Sequence, residues 1–268
     1  RGIRKLTQLD LHGTEITGNL NALNKAKKLT RLILHDSQVT GTLQALKDST
    51  ELTQLDLHGT SIEGNLDALS RAERLTRLIL HGEQIAGDLQ TLTGATHLTE
   101  LDLHGTRVAG SLKALQGAVG LTSLDLFDTN VFGDLQVLQD ATGLVSLNVH
   151  HTRVRGRLEF LQGKDLEWLD LGSTEVSGSL QALQDAHRLR RLDLRKTQVS
   201  GDVVALQRAV NLTELYLQDT GADGSVSEFC MQGCRHLRVL NLSASSVRLY
   251  TQGSDAPGDL LKSLEILE

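Results

Sequence analysis

A leucine run of the form L-x-x-L-x-L begins at Leu6, Leu29, Leu52, Leu75, Leu98, Leu121, Leu144, Leu166, Leu189, Leu212 and Leu237. The starts lie 23 residues apart six times, then 22, 23, 23 and 25, and a partial twelfth run opens at Leu264. A period of this length constrains the fold more than any other feature. Each unit is too small to bury its own leucines, so it must stack on copies of itself. The units share the pattern LxxLxLxxTxVxGxLxALxxAxx, and residues 6–14 and 52–60 read LTQLDLHGT without a change. The first five units also alternate: LDLHGT in the first, third and fifth, LILHD or LILHG in the second and fourth. They read as copies of a 46-residue pair.

Each column of the repeat has a physical reason. In a short strand successive side chains point to opposite faces, so Leu9 and Leu11 point inward while Asp10 and His12 point out. Thr14 stands where the chain leaves the strand, and its hydroxyl suits backbone groups that the turn leaves unpaired. The glycine column from Gly18 to Gly224 suits a tight bend or a positive φ. The alanine column (Ala26, Ala72, Ala95, Ala118, Ala141, Ala186 and Ala209) lets a short return segment pack close. Aromatics are only 3% of the chain. Leucine fills the core instead, as identical stacked layers allow.

This pattern resembles the leucine-rich repeat family over essentially the whole chain, most closely the plant-specific subtype and related repeats of protist surface antigens. Thr or Ser replaces the family's usual Asn in ten of eleven repeats, with Glu83 in the other. The resemblance implies an α/β fold: a right-handed solenoid, or horseshoe, with a parallel concave sheet and short helical or 3₁₀ convex returns. Residues 1–268 form one such domain of eleven repeats plus a partial twelfth, read as a fragment of a longer chain. Residues 250–259 form an inserted loop around Pro257-Gly258.

The outward columns are the candidate binding surface. His12, His35, His58, His81 and His104 recur at the seventh position of successive repeats, and His150 recurs there later. Adjacent parallel strands lie about 4.8 Å apart, so the first five predict a ladder of imidazoles. Asp10, Asp56, Asp102 and Asp125 stand at the fifth position, and Arg31 and Arg77 at the third. Phe127, Trp168 and Tyr216 put aromatics at outward positions, a residue type enriched at binding hot spots. The ladder has three readings: a relic of duplication, a polar recognition surface, or a metal site. No metal is assigned, because a straight row lacks the tetrahedral closure of structural zinc.

Other chemistries find little support. Acidic residues outnumber basic ones by 33 to 27, which disfavours nucleic acid as a partner. No apolar run is long enough to span a membrane. Nothing composes a catalytic set or a cofactor motif, and Cys230 and Cys234, four apart, lack the further ligands of a zinc site. The expected role is a non-enzymatic recognition module that holds a protein or peptide on the concave face. The alternatives are a targeting or ectodomain segment of a larger enzyme or receptor, of kinase or ubiquitin ligase type, and a structural spacer.

Overall fold

The computed structural model describes residues 3–232, 236–248 and 265–267. The segment 250–259 and Cys234 lie outside the described residues, as does the side chain of Cys230. Two compact units divide the chain, Arg1–Gly133 and Asp134–Glu268.

In the first unit each leucine run forms a three-residue strand: Gln8–Asp10, Arg31–Ile33, Gln54–Asp56, Arg77–Ile79, Glu100–Asp102 and Ser123–Asp125. Neighbours pair in parallel with leucine opposite leucine, as in Leu9↔Leu32, Leu32↔Leu55 and Leu55↔Leu78. That register is dictated by burial, since a slip of one residue would turn every leucine to the other face. Leu32, Leu55, Leu78, Leu101 and Leu124 are fully buried. A threonine column at the second position reinforces the stack: Thr30, Thr53, Thr76, Thr99 and Thr122 each donate a hydroxyl to the carbonyl of the residue 23 positions earlier, at 2.9–3.0 Å.

The turn chemistry is as the sequence predicts. Thr14, Thr60 and Thr106 donate to the carbonyls of Leu11, Leu57 and Leu103 at 2.6–2.7 Å. The segment beyond this turn departs from the sequence expectation. The T-x-V-x-G-x stretch forms a second parallel sheet, with strands at Thr17–Asn19, Gln38–Thr42, Ser61–Asn65, Ile85–Asp88, Arg107–Ser111 and Asn130–Asp134. Its physical basis is the period-two pattern around the buried Val or Ile, as at Val39, Ile62 and Val108. The glycine column lets this sheet approach the previous return: at Gly87, with φ +128°, an added Cβ would sit 2.8 Å from the backbone nitrogen of Leu66. The returns are four-residue 3₁₀ turns such as Leu66–Leu69, capped by the residue that follows the glycine, with Asn65 accepting from the Asp67 N–H.

The second unit repeats the scheme. Strands at Ser146–Asn148, Trp168–Asp170, Arg191–Asp193, Glu214–Tyr216 and Val239–Asn241 carry the leucine column, Glu265–Leu267 pairs in parallel with the last of them, and Arg153–Arg157, Glu175–Ser179, Gln198–Asp202 and Gly221–Asp223 carry the second sheet. Returns at Leu135–Leu138, Leu158–Leu161, Leu180–Leu183 and Val203–Leu206 are again 3₁₀, and Val226–Gln232 is a true α-helix. Ser49 in the first unit and Lys164 in the second stand in the alanine column; Lys164 is 6% exposed and donates its ammonium to the carbonyls of Gln139 and Ala141, at 3.0 and 2.9 Å.

Candidate functional site

The five histidines of the first unit form the predicted ladder. Ring centroids from His12 to His104 are separated in turn by 4.8, 4.5, 5.2 and 3.8 Å, the first two pairs stacked and the last two tilted. The first three spacings match the strand separation, and the closer approach of His81 and His104 marks a local rearrangement.

Each imidazole has a carboxylate. In the odd repeats it comes from the D-x-H pair: His12 Nδ1 lies 2.6 Å from Asp10, His58 Nδ1 2.7 Å from Asp56, and His104 Nδ1 3.0 Å from Asp102. The even repeats have isoleucine at that position, so the partner comes from elsewhere. Asp36, in a left-handed conformation at φ 55°, brings Oδ2 to 3.1 Å from His35 Nδ1. His81 turns Nε2 toward Asp102 Oδ2, 3.0 Å away.

The arginines explain the 46-residue alternation. Arg31 reaches back to Asp10 at 2.9 Å and forward to Gln54 at 2.8 Å. Arg77 likewise reaches back to Asp56 at 3.2 Å and forward to Glu100. Cations in even repeats thus fall between acceptors in odd ones, which keeps like charges off directly opposed positions. The hydrogen bond from His12, then that from Arg31, lowers the Asp10 carboxyl to about 2. At Asp102 burial pushes the carboxyl upward, but His81 and His104 hold it below its ordinary value. A polar depression of about 560 Å³ on this face is lined by Gln8, Asp10, Thr30, Arg31, Thr53 and Gln54.

In the second unit the outward face is built on one guanidinium. Arg191 lies 4.9 Å from the Trp168 ring centroid and 5.2 Å from that of Tyr216, and pairs with Glu214 at 2.5 Å. Trp168, 43% exposed, forms the rim of this stack. Arg195 also approaches Tyr216, at 5.3 Å, and pairs with buried Asp193 at 2.5 Å. Burial, then the neighbouring Asp170, raises the Asp193 carboxyl.

Similar architectures exist among solved structures. The chain is similar to PEPR1 in its structure with AtPEP1, at 20% identity over 99% of this chain and 45% of that one, TM-score 0.77. It is similar to the Arabidopsis receptor kinase HAESA, solved with the peptide hormone IDA and the co-receptor SERK1, at 21% identity over 89% and 46%, TM-score 0.72. An internalin, InlF, from Listeria monocytogenes is similar at 19% identity over 98% and 87%, TM-score 0.56. The fold is a leucine-rich repeat solenoid. The chain spans under half the length of these two plant receptor chains. No protein-family model matches the chain, and no curated protein matches it in sequence. Among the described residues no helix is long and apolar enough to cross a membrane.

Two of the expected surface residues of this solenoid are not at the surface. His150 is 7% exposed and turns Nδ1 to Asp170 at 2.9 Å, and Asp56 is 2% exposed beneath His58 and Arg77. Ile33 and Ile79, in the same column as Asp56, are buried as well. The reasons are steric: at the fifth position Asp56 is overlain by His58 and Arg77, and at the seventh His150 occupies the space over Gly172, where an added Cβ would sit 2.9 Å from its Nδ1. His12, His35, His58, His81, His104, Asp10, Asp102, Asp125, Arg31, Arg77, Phe127 and Tyr216 all keep some exposure, alongside Trp168. Arg191 is absent from the sequence expectation, although it stands in the column of Arg31 and Arg77. Asp36 stands at a position that is left-handed in every repeat, but the residue there varies from Gly to Asp, His, Ser, Lys and Ala, so no column of acids marks it in the sequence.

Proposed function

We propose that this solenoid is a non-enzymatic recognition module that binds a protein or peptide on the outward face of its first sheet. The observation that carries this reading is pre-organisation. Long polar side chains usually lose rotamer freedom on binding, at about 0.5–1.5 kcal/mol each. Here Arg31, Arg77 and the imidazoles of His12, His35, His58 and His104 are already held by partners within the face. A ligand that meets them gains contacts without that ordering cost. The peptide hormones bound by the similar receptor ectodomains support a peptide or protein as the partner class. The test is capture from source lysate with the wild-type chain and with His35, His58 and His81 replaced by alanine. Loss of a partner in the variant, at unchanged melting temperature, is expected; equal capture by both refutes the assignment.

A second reading makes the chain the recognition segment of a longer receptor. It is favoured by the similarity to the plant receptor kinase structures. Both readings use the same face. They part on whether ligand binding changes the activity of a further domain encoded in the same reading frame, which a full-length signalling assay distinguishes.

A further inference from the structure

We propose that His81, Asp102 and His104 form a binding site for a divalent transition-metal ion of the zinc class. The proposal goes beyond the recognition reading and does not depend on it. His81 Nε2 is buried and makes no hydrogen bond of acceptable angle among the described residues, although Asp102 Oδ2 is only 3.0 Å away. If that nitrogen carries its lone pair, lone pair faces carboxylate oxygen across a short gap. If it carries a proton, the proton points past its acceptor. Neither arrangement is a satisfied buried contact.

At His81 a metal ion resolves the geometry where a hydrogen bond does not. A hydrogen bond needs donor, proton and acceptor nearly in line. Two ligand atoms on one tetrahedral ion instead aim at a common point off the line that joins them. With bonds of about 2.0–2.1 Å they lie about 3.3 Å apart. The observed separations are 3.0 Å from Asp102 Oδ2 to His81 Nε2 and 3.0 Å from Asp102 Oδ1 to His104 Nδ1. All three residues present ligand atoms within 4.8 Å of one another. Those two separations involve different oxygens of Asp102, so a single ion also requires the ligand atoms to close from within 4.8 Å to about 3.3 Å, a side-chain movement of about 1.5 Å at most.

The surrounding groups fit this role. The His104 backbone N–H donates to Asp102 Oδ1 at 3.1 Å and so orients the carboxylate, as outer partners do at metal sites. For His104 Nδ1 to ligate, the neutral ring must carry its proton on Nε2. Two imidazoles and one carboxylate suit zinc, cobalt or nickel and leave a coordination position open. The side chains are 22%, 24% and 41% exposed for His81, Asp102 and His104, so an ion can enter. The other candidate groups are poorer. At His35, Asp36 and His58 the carboxylate is 62% exposed and 3.7 Å from His58 Nε2. At His150, Asp170 and Asp193 the carboxylates already face Arg191 and Arg195.

The test titrates the chelator-treated full chain with cobalt(II) at neutral pH and monitors the visible absorption of the bound ion. The wild type should saturate at one tight equivalent. Asp102→Asn and His81→Gln should each weaken binding by more than the roughly 10–100-fold that loss of an outer-shell partner costs, while His12→Gln leaves it unchanged. Circular dichroism in chelator confirms that each variant is folded. Absence of a saturable spectrum in the wild type overturns the site. So does a spectrum that survives in both variants, which would put the ion elsewhere on the ladder.

Discussion

Replacing Arg191 by methionine tests whether one guanidinium organises the second unit's face. Its side chain is 23% exposed and lies between the Trp168 and Tyr216 rings. It also lies 3.9 Å from both Asp170 and Asp193, which are 5% and 0% exposed. Methionine keeps most of the stem's apolar contact but removes two cation–π contacts, each about 0.5–1 kcal/mol. It also takes a cation from buried carboxylates, a loss that costs about 3–5 kcal/mol when no other partner remains. Here Arg195 still pairs with Asp193 and His150 with Asp170, so the carboxylate part falls to about half that range. The expected loss is about 3 kcal/mol near neutral pH. The pH dependence has a definite sign. Burial and Asp170 already raise the Asp193 carboxyl above its unfolded value, and removing the Arg191 cation 3.9 Å away should raise it further. A group with a raised folded pKa stabilises fully below its unfolded pKa, and that stability is lost as pH rises through the folded value. The deficit of the variant should therefore shrink on acidification toward about pH 4. Urea unfolding monitored by circular dichroism and by Trp168 fluorescence at both pH values measures it. A loss under about 1 kcal/mol near neutral pH, or a deficit that grows on acidification, refutes the reasoning.

Leu57 is 3% exposed, so Leu57→Asp should lower stability by more than the roughly 2–5 kcal/mol of a Leu→Ala cavity, because it adds an unpaired buried carboxylate; an unchanged melting curve contradicts the register. Gly87→Ala should cost about 2–4 kcal/mol, since it combines φ +128° with a backbone contact at 2.8 Å, whereas Gly13→Asn at φ +61° with open space should cost under about 1 kcal/mol; equal melting temperatures for the two would remove close packing as the reason for the glycine column. Burial lowers the Lys164 ammonium's pKa, so the wild type should gain stability relative to Lys164→Met as pH rises toward about 10.5, where the unfolded amine also becomes neutral; a difference that moves the other way opposes that assignment. Trp168→Ala with Phe127→Ala should weaken partner affinity about tenfold or more if the aromatics are anchors, and unaltered binding removes them from the surface.

The solenoid was legible because its cause is local and repeated. Leu32, Leu55 and Leu78 show the same spacing in the sequence that they show in the stack, and the threonine at the turn predicts its own hydrogen bond. The second sheet was less legible, because T-x-V-x-G-x contains only one buried side chain per strand and reads as a turn when the glycine is taken first. The site divides in the same way. Column position predicts that His12 to His104 stand side by side, because strand spacing alone places them. It does not predict that Asp56 is covered while Asp10 is not. That depends on how far Arg77 and His58 lean, and rotamers are set by neighbours rather than by register.

The alternation of the first five repeats connects these levels. Stacking identical repeats would place aspartate beside aspartate at intervals of one strand, a direct like-charge opposition. Isoleucine in the even repeats doubles the distance between carboxylates, and arginine at the third position of those repeats supplies the charge they need. The even histidines then lack a carboxylate of their own and must borrow one. His35 takes it from Asp36, and His81 takes it from Asp102, which His104 already uses. One carboxylate between two imidazoles, with their rings only 3.8 Å apart, is therefore the consequence of a duplication whose fourth repeat has Gly82 where the second has Asp36. Restoring the acid tests this. Gly82 has φ +98° where Asp36 has φ 55°, so Gly82→Asp must first relax its turn; once relaxed, it should place a carboxylate beside His81, draw that ring away from Asp102, and weaken any ion held between them. A variant with unchanged cobalt affinity would show that the sharing of Asp102 has another origin.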